Sequence, residues 1–121
     1  MDDMSTFFQE KPWGDFIQYA LNQEVTVKII TVDPGEKLSL QKHEHRDEMW
    51  VPLDEGLVAT VGGRGSRLWK ESDNLSPVII LRGTIHTMEN VENAPARFLE
   101  ISFGHFDEDD IERLEDKYGR C

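Results

Sequence analysis

Gln41-Lys42-His43-Glu44-His45-Arg46-Asp47-Glu48 is the stretch on which the reading of this chain of 121 residues turns. Side chains alternate between the two faces of a strand. His43 and His45 are therefore expected on one face of a strand over residues 38–45, together with Ser39 and Gln41. Leu38, Leu40, Lys42 and Glu44 take the other face. A polar face of that make-up suits a strand that lines a cavity, although a merely solvated face gives the same pattern. Glu48 follows at once. His86 and His105 complete the four histidines of the chain, and His105, next to Gly104 near the end, is expected on the surface. Neutral imidazoles with one carboxylate form a mixed nitrogen and oxygen set. Such a set suits one divalent transition metal (Zn, Mn, Fe, Ni or Co) and does not single one out.

Outward from this stretch, short β-rich runs alternate with turn signals. Residues 24–32 are dense in β-branched side chains and form the clearest strand. Pro34-Gly35 turns the chain. Further strands are expected over 15–21, 48–53, 57–61, 66–70, 78–81 and 96–103. Asp54-Glu55-Gly56, Gly62-Gly63-Arg64-Gly65, Asp73-Asn74 and Asn93-Ala94-Pro95 separate them. Eight or more short strands with no helix between them predict an all-β sandwich or barrel. Residues 1–14, broken by Pro12 and Gly14, read as an irregular arm, and 15–106 as the barrel. Residues 107–121 read as a short α-helix. Asp107 is its N-cap, carboxylates fill its first turn, Lys117 and Arg120 lie toward its end, and Gly119 is its C-cap. Ile111, Leu114 and Tyr118 share one stripe of that helix, which would dock on the barrel.

The balance of 24 acidic against 13 basic residues gives a net charge of −11. That opposes binding to nucleic acid or to an anionic membrane, both of which need a basic footprint. An anionic substrate would have to be held by a local group of cations or by the metal, against the mean field. No run of eighteen apolar residues exists, and the first residues lack the apolar stretch of a secretion signal. The single cysteine, Cys121, has no internal partner. A cytoplasmic protein is the expectation.

Gly35, the His43 and His45 pair, Glu48 and Gly56 resemble the first motif of the cupin superfamily. Gly83-Thr84-Ile85-His86 followed by Asn90 resembles the second. The resemblance implies a small single-domain jelly-roll barrel with His43, His45, Glu48 and His86 as metal ligands. Lys11-Pro12-Trp13-Gly14, Leu38-Ser39-Leu40-Gln41, Arg46, Trp50 and the ending Glu115-Asp116-Lys117-Tyr118-Gly119-Arg120 are similar to one branch. That branch is the cupin domain of type II phosphomannose isomerases, and the likeness runs from Lys11 to Arg120. In that family the domain often follows a sugar-nucleotide pyrophosphorylase domain. The chain departs from the family pattern at Met49, Leu81, Thr87, Ser102 and Phe106, and by Pro52 within a longer segment between Glu48 and Gly56.

The resemblance implies isomerisation of a sugar phosphate between aldose and ketose. That chemistry needs a Lewis acid on the substrate oxygens and a base that moves a proton between neighbouring carbons. Glu100 is the candidate base, with Arg46 beside the ligands as a second catalytic candidate. Lys28, Arg46 and Arg82 are candidates for phosphate. Gln41 is a candidate for substrate hydroxyls, and Trp50 and Trp13 for lining or capping the cavity. Two other classes fit the same residues: a metal-dependent oxygenase or cyclase, and a cupin that binds a sugar without turning it over. A homodimer is expected, since small barrels of this kind bury sheet surface by pairing.

Overall fold

The computed structural model describes residues 4–120, so Cys121 lies outside the described residues. Among the described residues there are eleven strands: β1 (Phe7–Lys11), β2 (Gly14–Gln18), β3 (Val25–Val32), β4 (Leu40–Lys42), β5 (Asp47–Pro52), β6 (Leu57–Val61), β7 (Ser66–Leu68), β8 (Val78–Ile80), β9 (His86–Asn90), β10 (Ala96–Phe103) and β11 (Glu112–Glu115). One sheet runs β3-β10-β5-β8 and a second runs β11-β4-β9-β6-β7, with a separate β1-β2 hairpin. Every pairing is antiparallel. Apolar side chains of the two sheets meet in one core, as the expected jelly roll requires.

The long strands follow the alternation of their sequence. On β10, Phe98, Glu100 and Ser102 face the interior, and their cross-strand partners on β5 are Pro52, Trp50 and Glu48. Trp50, Trp69 and Phe98 anchor the core between the sheets, with ring centroids 5.1 Å apart for Trp50 and Phe98 and 6.1 Å for Trp69 and Phe98. Such pairs each add about 0.5–1.5 kcal/mol beyond their burial. The opposite face carries Met49, Val51, Ile101 and Phe103. It is buried too, because Met4, Tyr19 and Ala20 from the start of the chain pack over it. The Tyr19 hydroxyl fastens this cover by donating to the Leu75 carbonyl at 2.7 Å.

Two expectations are corrected. The described part of the expected C-terminal helix, residues 107–120, contains no α-helix. Asp107 accepts the Asp109 N–H at 2.9 Å in a tight turn, and β11 then pairs with β4. Helical propensity and charge order favour a helix there, but β4 would otherwise be a free edge. Ladder hydrogen bonds to that edge outweigh a local preference of a few tenths of a kcal/mol per residue. The arm over 1–14 is not irregular where it is described, because β1 and β2 form a regular hairpin with its turn at Pro12-Trp13. Among the described residues no helix is long and apolar enough to cross a membrane.

Candidate metal centre

The strand expected over 38–45 ends at Lys42, and the chain bends at Glu44 and His45 before β5 begins. The Asp110 carboxylate fixes this bend by accepting the backbone N–H groups of Glu44 and His45, each at 2.9 Å. His43 therefore points into the barrel and His45 lies exposed on the outside of the bend. Gly83, at φ +75°, turns the chain before β9 and donates its N–H to the His43 carbonyl at 2.7 Å. His86 then enters at the start of β9, across from Gln41 on β4.

Three buried side chains converge: His43, Glu48 and His86. One donor atom from each lies within 4.8 Å of the others. Glu48 stands between the imidazoles, with Oε2 at 3.6 Å from His43 Nε2 and Oε1 at 3.5 Å from His86 Nε2. The ring centroids are 4.9 Å apart. Each imidazole is set by a backbone carbonyl. His43 Nδ1–H donates to Asp110 O at 2.7 Å and His86 Nδ1–H to Thr84 O at 2.8 Å. Both Nε2 lone pairs are thus turned inward, which is the tautomer a metal ligand needs. Burial pushes both imidazoles below their ordinary pKa, so they are neutral near pH 7. Glu48 Oε1 and His86 Nε2 are buried and have no hydrogen-bond partner. Orphaned polar atoms of this kind are rare, and here they face each other. The donor set and its two unpartnered atoms fit a divalent transition metal.

Arg46 fills the remaining side. It is buried, donates from Nε to Glu48 Oε2 at 3.0 Å, and has Nη2 at 3.3 Å from His43 Nε2. Its Nη1 donates to the Asp107 carbonyl at 3.0 Å. Ser102 Oγ lies 3.5 Å from the same Glu48 oxygen. Glu100 faces inward in a row with Lys28 on β3 and Trp50 on β5. Burial, and then the negative charge of Glu48, push its carboxyl up to about 7, against the pull of Arg46 and Lys28. Trp50 is fully buried with its ring 5.3 Å from that of His86, so it forms the floor of the site. Gln41 is half-buried and accepts a hydrogen bond from Ser39 Oγ at 3.1 Å.

Arg46 also borders a mouth of about 610 Å³, lined with it by Lys28, Phe106, Glu108, Asp109, Ile111 and Arg113. The Phe106 ring lies between Lys28 Nζ at 4.2 Å and the Arg46 guanidinium carbon at 4.4 Å. Arg113 is the residue that sequence reasoning passed over, hidden within the supposed helix. Its Nε is buried without a partner. Read as a strand, Ile111 and Arg113 share one parity, and that signal would have placed both at the mouth. Arg82 is elsewhere. It is exposed, its backbone N–H donates to Asp47 at 2.8 Å, and its side chain pairs with the same carboxylate. Trp13 is exposed on the hairpin turn, and His105 is also exposed.

Comparison with known proteins agrees with this architecture. Mannose-1-phosphate guanylyltransferase ManC of Salmonella typhimurium is 36% identical over 111 residues, covering 91% of this chain and 22% of that protein. The xanthan biosynthesis protein XanB of Xanthomonas campestris pv. campestris is 39% identical, with 91% of this chain and 23% of that protein covered. The chain thus spans less than a quarter of the length of these curated relatives. Among solved structures, a sugar phosphate isomerase of the cupin superfamily from Silicibacter pomeroyi superposes with a TM-score of 0.60 at 20% identity, covering 82% of this chain and 71% of that one. A double-stranded β-helix protein from Klebsiella pneumoniae gives 0.63 at 16% identity, with 78% of each chain covered. Both likenesses speak for the fold alone. A family match over residues 3–116, described as mannose-6-phosphate isomerase C-terminal, covers nearly the whole sequence, and the chain belongs to that family.

Proposed function

We propose that this chain is a metal-dependent sugar-phosphate isomerase that interconverts an aldose and a ketose, with mannose 6-phosphate as the first substrate to test. The observation that carries the reading is the pair of buried, unpartnered atoms Glu48 Oε1 and His86 Nε2, which converge with His43 beside Arg46, a residue shared with a mouth that carries Lys28 and Arg113 against Glu108 and Asp109. His43, Glu48 and His86 would hold one divalent metal of the Zn, Mn, Fe, Ni or Co group. When bound, it supplies Lewis-acid stabilisation to oxygens of the substrate. Lys28 and Arg113 hold the phosphate, since a chain of net charge −11 offers an anion few other attractive places. Gln41 hydrogen-bonds substrate hydroxyls. Glu100 takes the proton from one carbon and returns it to the neighbouring one, a task that a carboxyl held near pH 7 performs in both directions. Trp50 keeps water from the floor of the site.

The same reading gives the chain a cytoplasmic place, where sugar phosphates are handled, and a partner in a second copy of itself. The hairpin leaves Phe7, Phe8 and Trp13 exposed, and the outer face of edge strand β3 exposes Val27 and Ile29. Apolar surface of that kind is normally covered. Sedimentation is expected to give a particle of two chains. The test of function is conversion of mannose 6-phosphate to fructose 6-phosphate by metal-loaded protein, lost with chelator and in Glu100→Gln. Turnover that survives chelation refutes the reading. Oxygen uptake by an iron-loaded sample without isomerisation would move the chain to the oxygenase class.

A further inference from the structure

The guanidinium of Arg46 is tied to the atoms that a metal would use. It donates to Glu48 Oε2 at 3.0 Å and lies 3.3 Å from the lone pair of His43 Nε2. It also borders the mouth, where Phe106 is stacked against it and Lys28 and Arg113 stand nearby. His43 Nε2 has a single lone pair, so Arg46 Nη2 and a metal cannot use it at once, and two cations held at this range repel. We infer that Arg46 is a displaceable counter-cation: it neutralises Glu48 while the metal centre is empty, and loading of the centre releases its guanidinium into the mouth, where it joins Lys28 and Arg113 in holding a tetrahedral dianion. The inference rests on the metal reading of His43, Glu48 and His86. Its consequence is that the metal and the anion bind cooperatively. By linkage, an anion held by the released guanidinium raises metal affinity by the same factor as metal raises anion affinity.

The sign of one substitution separates this role from that of a residue that merely orients a ligand. Removal of an orienting partner weakens metal binding by about 10–100-fold. Removal of a competing cation strengthens it. Co(II) affinity is measured on the full chain by competition with a chromophoric chelator, at constant ionic strength, in chloride and in sulfate. For the wild type, sulfate is expected to tighten Co(II) binding by roughly fivefold or more. Arg46→Gln is expected to bind Co(II) roughly tenfold more tightly than wild type in chloride, because no guanidinium–carboxylate pair has to be broken. Its affinity should no longer respond to sulfate. Arg46→Lys, which keeps the charge, should stay near the wild type. Equal or weaker binding by Arg46→Gln overturns the inference, and so does a wild-type affinity indifferent to sulfate, a measurement that needs no variant. A sulfate effect that persists in Arg46→Gln does the same, since the anion would then act without the guanidinium. Absence of Co(II) binding in every chain, by contrast, sinks the metal reading itself, and no turnover is needed to tell the two failures apart.

Discussion

Replacing Glu100 with glutamine should alter how stability depends on pH, and the structure sets both sign and size. Glu100 is 7% exposed, in a row between Lys28 and Trp50, with Glu48 one residue pair further along the same face. Burial and the Glu48 charge raise its carboxyl from an ordinary value of 4.5 to about 7. The folded chain therefore holds a proton that the unfolded chain releases between those two values. Stability from this group is complete below about pH 4.5 and is lost as pH rises through about 7. A shift of roughly two and a half units corresponds to about 3 kcal/mol. Glutamine keeps the shape and carries no charge, so the variant lacks this slope. The measurement is urea unfolding of wild type and Glu100→Gln in chelator between pH 5 and 8.5, with the difference taken at each pH. His43 and His86 titrate in both chains, and their contributions largely cancel in that difference. Glu100→Gln is expected to gain on the wild type steadily, up to about 3 kcal/mol by pH 8. A flat difference, or a variant less stable than the wild type at pH 8, refutes the argument that Glu100 is held near neutrality by burial.

Three other perturbations follow from the packing. Phe98→Ala opens the aromatic core between Trp50 and Trp69 and should cost about 3–5 kcal/mol in urea unfolding. Asp110→Ala releases the N–H groups of Glu44 and His45 from the bend, with an expected loss of about 1–3 kcal/mol. It should also weaken metal binding, read by chelator competition, because the His43 ring leans on the carbonyl of the same residue. Arg113→Gln should raise KM for a sugar phosphate by about one to two orders of magnitude while leaving kcat near its original value, since the residue lines the mouth and stands apart from the proton-transfer row.

The strands legible in the sequence are those whose partners impose nothing foreign on their pattern. Residues 96–103 alternate cleanly, and β10 occupies that range because both its neighbours accept the same alternation. Residues 24–32 behave likewise in β3. Legibility fails where a distant contact overrides a local signal. The ending reads as a helix by capping, charge order and stripe, yet the open edge of β4 takes Glu112–Glu115 as a strand, with a register break at Leu114. Pro12 and Gly14 are breakers in isolation but the turn of a hairpin once β1 and β2 pair. The resemblance names His43, Glu48 and His86 together with His45; the first three converge, while the bend that turns His45 outward is not legible in the motif. The mouth was only half readable, because Arg113 depends on the very strand that local propensity conceals.

The place of His45 follows from parity together with the position of the bend. In an unbroken strand His43 and His45 share a face, and Glu48, five residues after His43, must lie on the other. No continuous strand can present all three to one ion. A break between His43 and Glu48 is therefore required if those two are to meet, and its position decides which residue is lost. The chain bends at Glu44 and His45, so the interior phase passes from Ser39, Gln41 and His43 to Arg46, Glu48 and Trp50. The extra residue in the bend swings His45 out and brings Arg46 in. The carboxylate that stabilises this break, Asp110, lies 65 and 66 residues away from the amides it holds. The phase shift of one residue thus sets Arg46, and not His45, beside His43 and Glu48, so the proposed competition between a metal and Arg46 is a property of that bend rather than of the four-residue motif read on its own.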